Sequence, residues 1–468
     1  MTIQVSDAQF PNQFTDRLAV TNGNDRFLSS ILQARHEIDS QALGTETSHQ
    51  ITQLRHSASD RLNVLKVPTT KDEDWKYTDL GDLIKLDLHS SNQVQDNVDE
   101  IEKQIAQHVL SESANSLLVF ANGVFVPALS NTSALSNGVV FSSLGTLSDI
   151  VGVDVIFPYL DKYLGRHTDA RDIFATLNAA CMADAAVVFV PKGVSVEATI
   201  QIVSISTKQD TPAISHPRCL VVAESNSKVT LVETYIGDDA TTYFTNAVTE
   251  IWLGEHAQLN HTKVQWESKD AYHIGTTAIA QMRGSSYTIN AIALGALLSR
   301  HNLNIRQLEE QTETHINGLA TIGDRQLADT HSCMAHDRAH GASRQLHKCI
   351  IGDRAHAVFN GKIQVAKAAQ LTDSAQLNRN LLLSPKAKID TKPELEILAD
   401  NVKCAHGATV SQLDPEEIFY LQSRCIDAAS AANLLTYAFA AEVIERIPVN
   451  SLREILNSFV LAQTQATV

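Results

Sequence analysis

From about residue 185 to about 410 the chain is a series of short apolar runs separated by turn residues, and no convincing helical period interrupts most of it. The runs are rich in Val, Ile and Leu, which favours strands. They are Val187–Val190, Ile200–Val203, Leu220–Val222, Val229–Val232, Ile289–Leu294, Ile363–Val365 and Leu395–Ile397. Strands in series occur in β-helices, sandwiches and barrels.

The turns between these runs recur. Turn-like starts lie at Gly254, Gly284, Gly323, Gly352 and Ser384, with spacings of 30, 39, 29 and 32 residues. Two of them begin with one tripeptide, Gly323-Asp324-Arg325 and Gly352-Asp353-Arg354. A period of about 30 residues indicates a coil repeat. We therefore predict a mainly β fold with a parallel β-helix core, in preference to a sandwich.

Composition and charge limit the functions that fit this fold. The 468 residues carry a formal charge of -16, and no dense run of Lys and Arg is present, which argues against binding to nucleic acid. No apolar run approaches the roughly 18 residues of a membrane span, and residues 1–20 lack the pattern of a signal peptide. The six cysteines form no CxxC pair. We expect a soluble, cytoplasmic protein without disulfides.

Helical sequence flanks the strand region. Residues 1 to about 115 are polar and helix-friendly, and helical spacing returns near 158–182. Between them, Asn122-Gly123 separates two apolar runs and predicts a hairpin. The predicted domains are a mainly helical N-terminal domain with a small strand segment at 1–182, the β-helix core at 183–410 and a C-terminal helical domain at 411–468.

The C-terminal region carries explicit helix signals. Asp414 precedes Pro415, a second helix is predicted after Asp427, and Ser451-x-x-Glu454 has the pattern of a capping box. The third helix places five apolar residues on one face: Leu452, Ile455, Leu456, Phe459 and Val460. This face either packs on the chain's own core or docks a partner.

Seven side chains that can bind metal lie within 26 positions: His331, Cys333, His336, His340, His347, Cys349 and His356. None of the compact spacings of a metal site, such as CxxC or HExxH, is present. On strands these side chains would alternate between faces and scatter over successive coils. We predict buried or turn histidines here. We also expect Trp75 and Tyr77 to pack onto the next domain.

Cys404 and His406 are two residues apart in an extended segment and therefore share a face. A soft sulfur and nitrogen pair suits iron–sulfur or zinc chemistry. Two ligands are too few to hold a cluster, so a partner subunit would have to complete the site. Nucleophilic catalysis ranks lower because no third orienting group is evident. Neither GxxxxGK[ST] nor GxGxxG occurs after a strand, so any nucleotide hydrolysis would come from another chain.

Longer segments resemble one protein family. The N-terminal segment is Pro68-Thr69-Thr70-Lys71 followed by Glu73 and Trp75-Lys76-Tyr77-Thr78. The other segments are Phe120–Gly123, Leu177–Ala180, Gln376–Ser384, Asp390–Ile397, Ala399–Thr409 and Phe419–Arg424, so the match runs from about 68 to 460. The chain resembles the SufB/SufD family of iron–sulfur cluster assembly proteins. Within that family its segments follow the SufD pattern.

This resemblance implies a right-handed parallel β-helix between helical N- and C-terminal domains. It also implies pairing with SufB through the β-helices and binding of the ABC-type ATPase SufC through the C-terminal helices. The expected docking residues are Phe419, Tyr420, Arg424, Leu435 and Phe439. ATP hydrolysis would lie in SufC, so this chain would be a scaffold without catalytic residues. The resemblance leaves open whether the isolated chain forms a homodimer.

The resemblance also bears on cofactors and single residues. It implies a transient iron–sulfur cluster in the complex, none held stably by this chain alone, and it leaves the use of a flavin open. His406 corresponds to the family's proposed interface ligand, shared with SufB, and Cys404 is the second candidate. Ala387 stands where SufB has a cluster cysteine. Cys425 stands where the family usually has Gly, which questions the tight turn there.

Two other functions are compatible with the residue pattern. A β-helix often hosts enzymes that act on polysaccharide, although the helical C-terminus would then be unexplained. A metalloenzyme using residues 331–356 is the third class. The scaffold function implied by the resemblance to the SufB/SufD family remains our prediction.

Overall fold

The computed structural model describes residues 23–38, 47–90, 98–135, 138–147, 153–166, 169 and 171–466. The first 22 residues of the predicted helical domain lie outside these ranges. None of the helices in the described ranges has the length and apolar character that crossing a membrane requires.

Two long, mainly parallel sheets form the body of the molecule. One runs in the order β20-β18-β16-β14-β12-β10-β8-β5-β4, and the other in the order β21-β19-β17-β15-β13-β11-β9-β6-β2-β3. From β8 onward, successive strands along the chain alternate between the sheets, which gives a β-solenoid of about eight turns. The predicted β-helix is confirmed.

The strand bounds agree with the apolar runs of the sequence. In the first sheet they are β4 (Val140–Ser143), β5 (Ala186–Val190), β8 (Arg218–Ala223), β10 (Tyr243–Leu253), β12 (Tyr272–Gln281), β14 (Leu298–Gln307), β16 (Leu327–His336), β18 (His356–Val365) and β20 (Lys388–Ile397), with β7 (Ala213–Ser215) beside β10 and β1 (His89–Ser90) beside β7. In the second they are β2 (Leu117–Ala121), β3 (Val124–Phe125), β6 (Ser195–Ser206), β9 (Lys228–Gly237), β11 (Gln258–Trp266), β13 (Ser286–Ala293), β15 (Glu313–Ile322), β17 (Ala342–Ile351), β19 (Asp373–Leu382) and β21 (Lys403–Ser411).

The coil repeat is visible in the pairing register. Leu298 lies beside Leu327, and Leu327 beside His356, 29 residues apart in each case. The predicted spacing of 39 residues, from Gly284 to Gly323, is not a coil. Gly284 follows β12 in the first sheet, whereas Gly323 follows β15 in the second, so this step passes from one column of turns to the other.

Alternate side chains of each strand point into the solenoid, where equivalent positions stack in columns. One column in the first sheet consists of Val221, Ile251, Ile279, Ile305, Met334 and Ile363, all buried and in register. Burying each of these side chains contributes about 2 kcal/mol before the entropy of ordering is subtracted. This stacking keeps neighbouring coils in register.

The N-terminal region combines helices with strands that extend the solenoid. The helices are α1 (Gly23–Ile38), α2 (Thr47–Leu62), α3 (Gly81–Ile84), α4 (Val98–Ile105), α5 (Val153–Tyr163) and α6 (Ile173–Cys181). The predicted hairpin is confirmed, because β2 and β3 pair antiparallel across Asn122 and Gly123, both at positive φ. β2 also pairs with β6 and β4 with β5, so these strands belong to the solenoid sheets. The three domain boundaries stay a prediction.

Trp75 packs onto the solenoid, as predicted. Its ring centroid lies 5.4 Å from that of Phe174 and 3.8 Å from Cζ of Arg300. Thr78 Oγ1 donates to Asp329 Oδ2 at 2.5 Å, and Arg300 pairs with the same carboxylate. Tyr77 lies at the surface and is 37% exposed. The motif therefore joins the N-terminal region to β14 and β16.

Three helices close the chain: α7 (Pro415–Gln422), α8 (Ala428–Ile444) and α9 (Asn450–Ala466). The Asp414 carboxylate accepts from the amide of Glu416, and the Asp427 carboxylate from that of Ser430, so both predicted N-caps are confirmed. The apolar face of α9 packs on the outer side of the second sheet, where Leu452, Leu456 and Val460 are buried. Of the two alternatives for this face, the structure shows packing on the chain's own core.

The predicted capping box at Ser451 is wrong. The helix begins one residue earlier, at Asn450, and the amide of Ser451 donates to Glu112 Oε1 at 3.1 Å while its hydroxyl donates to Glu112 Oε2. A carboxylate 339 residues away in sequence therefore occupies the place expected for Glu454. Burial alone would raise the pKa of Glu112, but these hydrogen bonds lower it to about 2.

Candidate interface site at the open end of the solenoid

The last coil consists of β20 and β21, and each of these strands pairs on one side only within the described part of the chain. We call the surface formed by these two strands the open end. None of the residues in either strand is fully buried, and apolar side chains are exposed there, with Ile397 at 38% and Val410 at 51%. A strand edge of this kind can pair with another chain.

Cys404 and His406 both lie on β21, on the same face of the strand. Cys404 is paired with Ser374 and His406 with Gln376, both of which are buried inside the preceding coil. Cys404 is half-buried, and burial raises the pKa of its thiol, although a hydrogen bond with the Ser374 backbone opposes that shift. His406 is exposed. The two candidates therefore continue the interior face of the solenoid at the coil that nothing in the described chain covers.

Buried amide groups below the open end have incomplete hydrogen bonding. Gln376 Nε2 donates to Gln345 Oε1 at 2.8 Å, whereas Gln376 Oε1 accepts no bond from any described residue. Asn380 Oδ1, one position below Val410, is likewise buried and unpartnered among the described residues. Buried polar atoms are nearly always paired in folded proteins. Two acceptors at this end of the solenoid thus remain for a donor from outside the described chain.

Of the seven residues between 331 and 356, six are distributed over three strands and both faces, and His340 lies between strands. His336, His347 and Cys349 are buried inside, whereas His331 pairs with Asp329 at 3.0 Å and His356 with Asp390 at 2.7 Å. His340 lies in a turn at φ +59°. Throughout the described ranges, no three His, Cys, Asp or Glu side chains are grouped as metal ligands.

The sequence analysis missed a buried polar cluster inside the solenoid. His261 lies between two partners, with Nε2 2.8 Å from Glu233 Oε2 and Nδ1 2.9 Å from Tyr287 Oη. The carboxylate accepts from Nε2–H, and the second ring nitrogen is hydrogen-bonded to the tyrosine hydroxyl. Burial would raise the pKa of Glu233, but the bond from His261 and the charge of Lys263 hold it below its usual value.

A second buried pair lies next to this one. His273 Nδ1 is 2.7 Å from Glu267 Oε2, and Thr245 donates to the same carboxylate. Lys263 Nζ lies 4.6 Å from the ring centroid of Tyr235, and burial lowers the pKa of both Lys263 and His273. The sequence signal was a charged residue at an inward position of an otherwise apolar strand, as in Leu231-Val232-Glu233. These paired charges fix the orientations of the buried side chains around them. They lie several coils from the open end.

Comparison with known protein families shows the family to which this chain belongs. Residues 204–439 match the family described as "SUF system FeS cluster assembly, SufBD core domain", and residues 31–202 match the "SufBD protein N-terminal region". The chain belongs to the SufBD family. It is thus an iron–sulfur cluster assembly protein of the Suf system.

Three relatives of the SufBD family illustrate the similarity. The chain is 44% identical to an "iron-sulfur cluster assembly SufBD family protein" of Synechocystis, over 90% of this chain and 92% of the relative. It is 31% identical to SufD of Escherichia coli, over 91% and 95%. It is 27% identical to SufD of Bacillus subtilis, over 87% and 92%.

Two positions that the sequence analysis singled out by resemblance have clear surroundings. Ala387, which the resemblance aligns with a cysteine of SufB, is buried among apolar residues at the turn before β20. Cys425 adopts φ +65°, the left-handed conformation that Gly adopts most easily. The doubt about the tight turn at this position is therefore removed, because the turn forms with cysteine.

The predicted docking residues of this SufBD chain fall into two groups. Phe419 and Tyr420 on α7 are 71% and 57% exposed, and the Arg424 guanidinium lies 4.8 Å from the Tyr420 ring. Leu435 and Phe439 on α8 are half-buried. Phe439 packs towards the solenoid, with Lys348 Nζ 4.3 Å above its ring. The exposed apolar surface is thus centred on α7, and the docking role of all five residues stays a prediction.

Proposed function

We propose that this SufBD chain is the SufD-type scaffold subunit of a Suf assembly complex. It pairs with SufB through the open end and binds the ATPase SufC through the C-terminal helices, and a nascent iron–sulfur cluster forms where the two solenoids meet. The open end is the observation that supports this proposal: two strands with one unpaired edge each, exposed apolar side chains and two buried amide oxygens without a partner among the described residues lie together there.

His406 and Cys404 supply this chain's share of the ligands. The raised pKa of the Cys404 thiol keeps it protonated at neutral pH in the isolated chain, so iron binding must release that proton. The exposed imidazole of His406 is accessible to a metal ion held by the partner. A site divided between two chains forms when SufB covers the open end and is lost when the two chains separate. The cluster is therefore the cargo of the complex and not a resident cofactor of this chain.

The ATPase contact is assigned to α7. This helix has no buried residue, although Phe419 and Tyr420 are large and apolar. An apolar helix face of this kind fits a hydrophobic groove on a partner. α8 and α9 pack on the solenoid and hold α7 at its position.

The experiment is anaerobic co-expression with SufB and SufC of the same organism, followed by mass determination of the eluting complex. We expect all three chains to elute together. Because α9 covers the second sheet, removal of residues 411–468 would also expose the core. A double variant, Phe419→Ser with Tyr420→Ser, is therefore the sharper test. It should lose SufC and retain SufB.

Leu461→Ser is the matched control, since Leu461 is 41% exposed and belongs to α9. This variant should retain both partners. A wild-type chain that elutes alone contradicts the scaffold proposal, and loss of SufC from both variants contradicts the assignment to α7. The polysaccharide enzyme considered from the sequence is not favoured by membership of the SufBD family.

A further inference from the structure

The two Gly-Asp-Arg tripeptides occupy the same turn on neighbouring coils. β16 pairs with β18 from Leu327 and His356, and β18 with β20 from His356 and Lys388. Two residues before these positions stand Arg325, Arg354 and Lys386. All three cations are exposed, and they follow one another along the solenoid at the spacing of adjacent strands, about 4.8 Å. We call these three residues the basic row.

The turn accounts for the Gly and Asp of the tripeptide. Asp324 and Asp353 adopt positive φ, which Asp tolerates better than most residues. The carboxylate of Asp324 pairs with Lys269 at 2.8 Å, and that of Asp353 accepts from the amide of Asp324 at 2.8 Å. Both carboxylates are therefore engaged within the turns.

The turn does not account for the cations. Among the described residues, the side chains of Arg325, Arg354 and Lys386 have no hydrogen bond, ion pair or ring contact, although the Asp324 and Asp353 carboxylates lie in the same turns. Like charges at adjacent positions of neighbouring strands destabilise a sheet. On the preceding coil the equivalent residue is Ala296, which shows that the solenoid forms without a cation here.

The basic row lines an open groove of about 550 Å³, whose other residues are Asp324, Asp353, Ser384 and Pro385. Three cations over two strand spacings extend about 10 Å, the length of three extended residues. Non-specific binding to nucleic acid needs many more phosphate contacts, and the chain as a whole carries a charge of -16. An acidic peptide segment matches the length and the charge of the row.

We infer that the basic row is a binding surface for an acidic, extended segment of a partner protein. Its carboxylates pair with the two guanidinium groups and the ammonium group, and arginine is well suited to such bidentate contacts. The surface is separate from Cys404, His406 and α7. Binding of an acidic segment to the basic row does not require the open end to pair with SufB. The isolated chain is therefore sufficient for the test.

Fluorescence anisotropy with a labelled hexaglutamate peptide at low salt tests this inference. The wild-type chain should bind the probe. A triple variant, Arg325→Gln with Arg354→Gln and Lys386→Gln, should weaken binding by about tenfold or more, because each lost charge removes a charge-assisted contact. The control changes three exposed lysines elsewhere on the solenoid by the same charge: Lys192→Gln, Lys228→Gln and Lys367→Gln. It should alter the affinity by less than about twofold.

Circular dichroism spectra and unfolding midpoints show that both triple variants are folded. Three results would overturn the inference: no binding of hexaglutamate to the wild-type chain, equal weakening in the two triple variants, or tighter binding of a short oligonucleotide than of hexaglutamate. Equal weakening would show that the effect depends only on the overall charge of the chain. Tighter binding of the oligonucleotide would assign the basic row to nucleic acid.

Discussion

At the residue scale, Cys425 shows that a residue other than glycine can close a turn at positive φ. Its amide donates to Gln422 O at 3.0 Å, and that of Ile426 to Leu421 O at 3.3 Å, which closes the end of α7. Holding a cysteine at positive φ costs about 1 kcal/mol relative to the right-handed region. The next helix, α8, is capped two residues later by Asp427.

His406 is the residue on which the proposed cluster site depends most. In a complex with SufB, we expect His406→Ala to lower iron affinity at the interface by about tenfold or more, because one ligand is lost and the remaining shell is incomplete. The measurement is iron and sulfide content after anaerobic reconstitution of the purified complex.

His256→Ala is the matched control, since His256 is an exposed turn histidine several coils from the open end. The control should retain wild-type cluster content. Wild-type content in the His406→Ala complex would contradict the ligand role. Complex formation itself should survive in both variants, because His406 adds little apolar contact.

At the scale of single elements, α9 depends on a residue from the other end of the chain. Glu112 accepts two hydrogen bonds from Ser451 in the first turn of the helix. We expect Glu112→Gln to weaken this cap by about 1 kcal/mol, which is about a fivefold rise in hydrogen exchange at the start of α9. Exchange measured by mass spectrometry on the peptide that contains residues 450–453 reports it.

Glu102→Gln is the control, because Glu102 is exposed on α4 and has no side-chain partner among the described residues. Equal exchange in the two variants would contradict the capping role. The Glu112 carboxyl has a folded pKa of about 2, below its ordinary 4.5. Its contribution is therefore present above about pH 4.5 and is lost as the pH falls towards 2.

At the scale of the whole molecule, buried histidines make the fold sensitive to acid. Burial lowers the pKa of His216 to about 3 and the pKa values of His336 and His347 to about 4. The unfolded chain binds protons at these positions near pH 6.5, whereas the folded chain does not. The free energy of unfolding should therefore fall as the pH drops from about 6.5 to 4, by about 1.4 kcal/mol per pH unit for each histidine.

Urea unfolding at about pH 7.5 and pH 5 measures this dependence. His347→Gln removes one titrating group and should show a smaller loss of stability between the two pH values than the wild-type chain. His256→Gln, at an exposed position, should show the wild-type loss. An identical loss in His347→Gln and the wild-type chain would contradict the role of that histidine.

The sequence by itself determined the features that depend on neighbouring residues. The apolar runs predicted the strands, Asn122-Gly123 predicted the hairpin, and Asp414 and Asp427 predicted two helix caps, since each signal acts over a few residues. The coil repeat was also visible, and the long segments shared with the SufB/SufD family pointed to its members. The positions of Cys404 and His406 on one strand followed from their spacing.

Only the tertiary structure decided the features that join distant residues. The cap of α9 by Glu112, the buried pair of Glu233 and His261, and the alignment of Arg325 with Arg354 depend on which strands and helices become neighbours. Parallel coils place residues about 29 positions apart side by side, and turn lengths fix that register. A charge can be buried only where the fold provides its partner. Sequence spacing alone carries neither piece of information.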